Sequence, residues 1–382
     1  MNILFLTYHG LSVHSGISKK IIAQVDGLKS NNYNVKLCSY IIDEKGYRKR
    51  MIDNKCIENY GKGIFAKIKK RYRYKKIVEY IVKNNIDIVY IRYFHNANPF
   101  TISFFKQLKK YNIKSVIEVP TYPYDREYVG FPLSSRIGIW IDKIFRRKLA
   151  SLTNAIVTFT DDKDIFGQRT INISNGIDFN TIRIKAESKH PANEIHLIGV
   201  AEVHYWHGYD RLIHGIGEYY SKPYNKKVFF HIVGGVGSSE MYNSQHAPGF
   251  HELIEKYNLK DKITFHGQKF GEELDKIFDN ADFAIGSLAR HRSGISNIKT
   301  LKNREYAARG IPFIYSEIDE DFDDMPYIIK AIPDESAIDI NEIINFCESH
   351  NIPRKEIRES IIHLSWKHQM NIVINSILNE KQ

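Results

Sequence analysis

Residues 296–316, SNIKTLKNREYAARGIPFIYS, set a single carboxylate, Glu305, among Lys299, Lys302 and Arg304, ahead of a small-residue run closed by Gly310 and Pro312. Clustered cations neutralise an anion, and an ionised carboxylate accepts hydrogen bonds without donating any. Lys302 precedes Glu305 by three residues, so a helix would show both on one side. Two further stretches carry groups fit for acid–base work: IRYFHNANPF holds Arg92 and His95, and EVPTYPYDREY holds Glu118, Tyr122, Tyr124 and Asp125. Glu118 can orient or deprotonate a hydroxyl. Tyr122, Tyr124 and Asp125 can form a sugar-binding wall, because aromatic faces stack on C–H surfaces. Pro120 and Pro123 equally describe a rigid loop with its aromatics packed down.

These groups need elements to hold them. Residues 2–8, 34–40, 86–91, 114–119 and 155–159 read as β-branched strands, with amphipathic segments such as KKIIAQVDGLKS between them. That order is a βαβ series and predicts a parallel sheet. The pattern restarts near residue 194, where IHLIGVAEV, VFFHIVGG, ITFHG, ADFAIGS and IPFIYS alternate with helix-like DRLIHGIGEYYS, FHELIEKYN, GEELDKIFDN and LKNREYAARG. A chain of 382 residues, 43% hydrophobic, supports two domains. The expectation is an α/β protein with two Rossmann-like doubly wound domains, residues 1–190 and 191–360, facing a central cleft, and a last helix in 361–382.

In open sheets of this kind ligands bind beyond the carboxyl ends of the strands. TYHGLSVHSGISKK carries Gly10 and Gly16 before a helix whose free N–H groups can meet a phosphate. HIVGGVGSSE adds Gly234 and Gly235 after another strand. Neither completes G-x-G-x-x-G, and no acidic residue ends the second strand, which disfavours a dinucleotide-dependent dehydrogenase.

Residues 1–190 hold 34 basic and 16 acidic side chains, a net +18, whereas the remainder holds 21 and 28, a net −7. The densest basic run, KGIFAKIKKRYRYKKIVEY at 62–80, interleaves Phe65, Ile68, Tyr72, Ile77 and Tyr80 with lysines and arginines. It reads either as a solvated helix face or as a segment that seeks an anionic surface. No zinc-finger, RNP-type or helix-turn-helix signature accompanies the charge, so nucleic acid is not an expected partner. No stretch nears the roughly eighteen apolar residues of a spanning helix. MNILFLTYHG has no basic n-region or cleavage site, so a cytoplasmic protein is expected. Cys38, Cys56 and Cys347 fit no metal or disulfide spacing, and no metal is expected.

The order of these signals resembles that of GT-B glycosyltransferases of the retaining family 4 group. The likeness rests on SGISKKIIAQVDGLKSNNYNVKL, ISNGIDF, GYDRLIHGI, FHIVGG, ITFHG, ADFAIGS, REYAARGIPFI and the closing LSWKHQMNIVINSIL, and it spans nearly the whole chain. It implies transfer of a sugar from a nucleotide-diphosphate sugar, UDP-linked above all, to an acceptor hydroxyl in surface polysaccharide or glycoconjugate synthesis. It also implies retention, no metal, no cofactor beyond the donor, and a last helix that crosses back to the first domain. Glu305 would accept from the ribose hydroxyls, with Gly16, Gly234, Gly235 and Gly267 lining the donor site. Where the family carries its first glutamate this chain has Asn297, and where the family grips diphosphate with Arg and Lys it has Glu202 and His207. A rebuilt clamp would draw on His207, Arg211, Arg290, Arg292, Lys299 and Lys302, with Lys302 and His207 foremost. The family's active-site histidine falls near Arg92 and Glu118, with His95 close by. The acceptor would be a glycan, a lipid-linked glycan or a protein, met at the inner face of the plasma membrane through residues 62–80. A non-catalytic GT-B partner subunit and a nucleotide-sugar epimerase are the alternatives.

Overall fold

Strand β1 (Asn2–Gly10) is buried on both faces along most of its length, which marks a central strand of a sheet covered by helices on each side. Its side chains alternate: Ile3 and Phe5 enter one core, Leu4, Leu6 and Tyr8 the other. The computed structural model describes residues 1–12, 15–124, 133–242 and 248–379. After β1 come α1 (Gly16–Ser30), β2 (Asn34–Ile42), β3 (Arg48–Ile52), β4 (Lys55–Gly61), α2 (Gly63–Tyr72), α3 (Lys75–Lys83) and β5 (Ile88–Arg92). Next are α4 (Pro99–Lys110), β6 (Lys114–Val119), α5 (Leu133–Ala150), β7 (Ala155–Thr158), β8 (Asp164–Ile165) and β9 (Gln168–Asn172). The second half supplies β10 (Glu194–Val200), α6 (Tyr209–Tyr220), β11 (Lys227–Val233), α7 (Ser238–Tyr242), α8 (Phe250–Lys256), β12 (Ile263–Gly267) and α9 (Gly271–Asp279). It continues with β13 (Phe283–Ile285), α10 (Leu301–Ala308), β14 (Phe313–Tyr315), β15 (Ile328–Lys330), α11 (Ile340–Ser349), α12 (Arg354–Ser360) and α13 (Trp366–Leu378).

The chain forms two units, Met1–Gly176 with Ser365–Gln382, and Ile177–Leu364. The change-over therefore falls at 176/177, not at 190/191. Residues 177–190 pack into the second unit, where Arg358 donates to the carbonyls of Phe179 and Ile182 and Arg183 pairs with Asp279.

Unit 1 is built on a nine-stranded sheet in the order β4-β3-β2-β1-β5-β6-β7-β9-β8. The six strands from β2 to β9 run parallel, while β3 and β4 add an antiparallel flap at one edge and β8 at the other. Helix α13 closes one face: a Cβ on Gly27 of α1 would stand 2.7 Å from the Trp366 carbonyl, so the two helices touch backbone to backbone. The flap has a load of its own. Arg50 of β3 is fully buried among Tyr40, Tyr60 and Tyr74 and donates to the carbonyls of Lys70 and Arg73 at 3.1 and 2.9 Å. Those carbonyls end α2, so a buried cation caps the helix.

Unit 2 carries six parallel strands in the order β12-β11-β10-β13-β14-β15. Numbered within the unit this is 3-2-1-4-5-6, the Rossmann order, whose switch point lies between β10 and β13. The loops that leave those two strands meet there, joined by backbone hydrogen bonds from Leu288 and Ala289 to His207 and Trp206.

Candidate functional site

At that switch point Gly208 is left-handed, with φ +64, and a Cβ there would stand 2.8 Å from the Ala289 Cβ. The turn can therefore lie directly on the β13 loop, and the Leu288 and Ala289 amides donate to the carbonyls of His207 and Trp206. This apposition gathers His207, Arg290, Lys302 and Glu317. Lys302, in the first turn of α10, has its ammonium nitrogen buried with no hydrogen-bond partner in the protein. Arg290 Nε, Glu317 Oε2, Asn303 Oδ1, Ser287 Oγ and the Tyr209 hydroxyl are also buried without one. Burial lowers the Lys302 ammonium to about 7 and raises the Glu317 carboxyl. Burial, then Lys302 and Arg290, hold His207 well below the usual imidazole value. His207 Nδ1 accepts from the His204 amide at 2.9 Å, which puts the proton of the neutral ring on Nε2. Two cationic side chains, an imidazole and the Glu317 carboxyl thus gather at one buried spot, and the unpartnered Lys302 and Arg290 donors have the chemistry to take an anion.

The other residues read from the sequence take several positions. Glu305 is half-buried on α10, and Arg309 donates to its Oε1 at 2.8 and 3.0 Å while Oε2 stays open. Asn297 is exposed and bridges to Ile318, and Lys299 is buried. Arg211 is pinned instead of reaching a ligand: it donates to the carbonyls of Ser336 and Leu288 and to Asp334. Arg292 is likewise held by Asp210 and Glu335. Gly234 and Gly235 serve loop packing. The Gly234 amide donates to the Gly267 carbonyl at 2.8 Å, and a Cβ on Gly234 would stand 1.8 Å from the Ala201 carbonyl. Gly267, with φ +64, turns the chain out of β12.

In unit 1, Glu118 stands at the end of β6 but is fully buried and saturated. Gln24 and Tyr90 donate to its Oε2 at 2.6 Å each, Arg92 donates to Oε1, and the Lys20 ammonium lies 4.0 Å away. Burial opposes ionisation, yet Arg92 and Lys20 outweigh it and hold the carboxyl below its usual range. A base must reach its substrate; this carboxylate instead fixes Arg92 and α1. Gly16 is exposed at the first position of α1, which Ser15 caps. Tyr124 belongs to the core, its hydroxyl 2.6 Å from Asp142, with the His95 ring against it at 3.9 Å. The rigid-loop reading therefore holds for Tyr124. Tyr122 is half-buried against Phe166, and Asp125 lies outside the described residues.

Sequence reasoning passed over His9 and Glu317. His9 ends β1, edge-on to Phe94, and burial followed by Arg92 and Lys70 lowers it to about 4. Both residues sit at the carboxyl end of a buried strand, a position that could have found them. Beside Gly10 a cavity of about 270 Å³ is lined by Leu11, Tyr40, Ile41, Ile42, Arg48 and Lys70. A larger cavity of about 460 Å³ in unit 2 lies at the amino ends of β10 and β14, away from the strand ends where the orphaned groups gather.

Three neighbouring strands of unit 2 also carry a histidine ladder. His196 Nδ1 lies 2.9 Å from His231 Nε2, and His231 Nδ1 lies 3.0 Å from His266 Nε2. His196 Nε2 meets the acceptor-only Glu194 carboxylate at 3.4 Å, so each ring donates toward Glu194. Among the described residues no three His, Cys, Asp or Glu side chains are placed to hold a metal ion.

No family model and no curated protein matches the chain. Among solved structures it is similar to sucrose-phosphate synthase from Thermosynechococcus elongatus, with TM-score 0.62 and 15% identity over 100% of this chain and 99% of that one. It is similar to trehalose-6-phosphate synthase OtsA, with TM-score 0.59 and 11% identity over 100% of both chains. It is also similar to S. aureus TarM, solved with fondaparinux, alpha-GlcNAc-glycerol and UDP, with TM-score 0.55 and 14% identity over 99% of this chain and 100% of that one. At these identities the likeness is one of fold, and it runs from end to end. The chain has the GT-B fold, two Rossmann-like α/β units of one polypeptide.

Proposed function

We propose that the protein is a glycosyltransferase that moves a sugar from a nucleotide-diphosphate sugar, UDP-linked, to an acceptor hydroxyl. The observation that carries this reading is the set of buried polar groups without partners at the Rossmann switch point of unit 2, above all the Lys302 ammonium and the Arg290 Nε, with the neutral His207 ring beside them. Glu305, with Oε2 open, accepts from the ribose hydroxyls. In the reaction the bond from the sugar C1 to the β-phosphate oxygen breaks, a bond from C1 to the acceptor oxygen forms, and the acceptor proton is released. Charge grows on the departing diphosphate, and preorganised donors in a water-poor site stabilise it. Two solved neighbours support a UDP donor: TarM carries UDP, and the E. coli trehalose-6-phosphate structure holds UDP-2-fluoro glucose.

Unit 1 takes the acceptor, a glycan, lipid-linked or protein hydroxyl, near the cavity lined by Tyr40, Arg48 and Lys70. Retention, independence of metal and of any added cofactor, a role in surface polysaccharide synthesis and attachment through residues 62–80 at the inner face of the plasma membrane complete the proposal. No helix among the described residues is long and apolar enough to cross a membrane. The exposed Asn297 in place of the family's first glutamate favours one second reading, a donor-binding partner subunit without turnover.

A thermal-shift screen against UDP, GDP, ADP, CMP and their sugar conjugates tests the donor site, since a ligand of the native state alone raises its stability. A shift with UDP-sugars, followed by UDP release with an acceptor, is expected. Binding without release would select the partner subunit, and no shift with any nucleotide would overturn the reading.

A further inference from the structure

Helix α2 shows Ile64, Phe65 and Ile68 to solvent at 69, 73 and 47% exposure. Helix α5 does the same with Ile137, Trp140 and Ile144 at 50, 64 and 53%. At about 100° per residue, each trio falls on one stripe of its helix. On α2 the stripe lies opposite the buried Ala66, and on α5 opposite the buried Ile139, Leu149 and Ala150. Helix α5 is therefore apolar on both sides, and unit 1 covers one of them. The two helices are neighbours, since a Cβ on Gly138 of α5 would stand 4.0 Å from Arg71 of α2.

Among the described residues the exposed charge on and beside the two helices is basic; Glu58, which pairs with Arg73 at 3.7 Å, is largely buried. Lys62, Lys67, Lys69 and Arg73 are exposed on and beside α2, and Arg136, Lys143, Arg147 and Lys148 are exposed on α5. Helix α2 has no acidic residue, and the one acid of α5, Asp142, is buried. Exposed apolar stripes of this size mark an interaction surface. A second copy would set cations against cations, whereas an anionic bilayer answers both the charge and the stripes.

We propose that α2 and α5 together form a membrane-docking face, with Phe65 and Trp140 as its anchors in the headgroup region of an anionic leaflet. This deepens the acceptor-side reading above: it adds α5, which lies outside the basic run, and it places an indole where a membrane interface favours one. Arg50, by capping α2, holds that helix in place on the sheet.

The test floats the full chain with phosphatidylcholine vesicles, with and without phosphatidylglycerol, and then with brominated acyl chains that quench nearby indoles. Binding about tenfold tighter to anionic vesicles is expected, lost in high salt. Quenching should be strong in the native chain and absent in Trp140→Phe. Phe65→Ser and Trp140→Ser, at exposed positions, should each weaken binding about tenfold with an unchanged melting temperature. Equal binding to both vesicle types, anionic binding that both serine variants retain, or burial of Trp140 by self-association or by an acidic protein in place of lipid would overturn the proposal. The thermal shift with UDP reports on unit 2 independently, so failure of the docking face and failure of the donor site read out separately.

Discussion

Lys302 and Glu317 are buried close enough to perturb each other's ionisation, with no hydrogen bond between them. A diphosphate that enters beside Lys302 stabilises its cationic form and so draws a proton onto it. Because burial lowers Lys302 to about 7, the free protein loses that proton as pH rises through neutrality. UDP affinity should fall above pH 7, by up to about tenfold per pH unit, as proton linkage requires. Glu317→Gln removes a carboxylate that favours the ammonium, so it should move the fall to lower pH, and Lys302→Met should abolish it. Calorimetric titration of UDP from pH 6 to 9 measures this, and a pH-independent affinity in the native chain would falsify the link.

Glu305 makes a different demand on the same ligand. Glu305→Gln should weaken UDP about tenfold, the value of a charge-assisted hydrogen bond, and leave inorganic pyrophosphate unaffected. Equal losses for both ligands in competition binding would place Glu305 at the phosphates and remove it from the ribose.

Glu118 predicts the acid limb of stability in unit 1. Its folded carboxyl is lower than in the unfolded chain, so its contribution is complete above the unfolded value near 4.3 and fades as pH falls through the folded one. Melting temperatures of the native chain between pH 7 and 3 should drop steeply below about pH 4.5, whereas Glu118→Gln should start lower and fall less. Parallel curves would show that the Arg92 pair is not the source.

The ladder behaves in the opposite chemical sense and the same direction. Burial lowers His231 to about 4, below the unfolded imidazole, so unit 2 loses stability as pH falls from about 6.5 toward 4. His231→Gln removes that titration and should flatten the decline in urea midpoint over this window. An unchanged slope would assign the decline to the other depressed histidines of unit 2, His196, His207 and His266.

Arg50→Met leaves the carbonyls of Lys70 and Arg73 without their donor inside a tyrosine cage. The loss should be about 3 kcal/mol in urea unfolding, typical of a buried charged hydrogen-bond hub. Vesicle binding should weaken with it, since α2 is no longer capped.

The sequence showed the two sheets clearly where strands are buried on both faces, as in NILFLTY and VFFHIV, because such runs have few readings. It did not show the β3–β4 flap, whose RKRMI and KCIENYG carry too much charge to look like strands; Arg50, the residue that makes the flap, is itself part of that charge. The site was half legible. Lys302 and His207 could be picked from their loops as candidates, but nothing local separates Arg290, whose Nε is buried without a partner, from Arg292, which a carboxylate 82 residues earlier takes up. Glu118 misled because a carboxylate at a strand end reads alike whether it meets solvent or Gln24, Tyr90 and Arg92.

The chain enters unit 2 at Ile177 and leaves it at Leu364, joined there by a hydrogen bond from the Ile177 amide to the Leu364 carbonyl, and α13 then returns to the Ile21–Val25 side of unit 1. During synthesis the first 176 residues thus emerge with one flank of α1 bare. Unit 2 is continuous and has every strand it needs before α13 exists, so the half that is made second is finished first. A chain stalled just before Trp366 therefore carries an open apolar groove on its older half, the one that Met370, Val373, Ile374 and Ile377 fill in the finished protein.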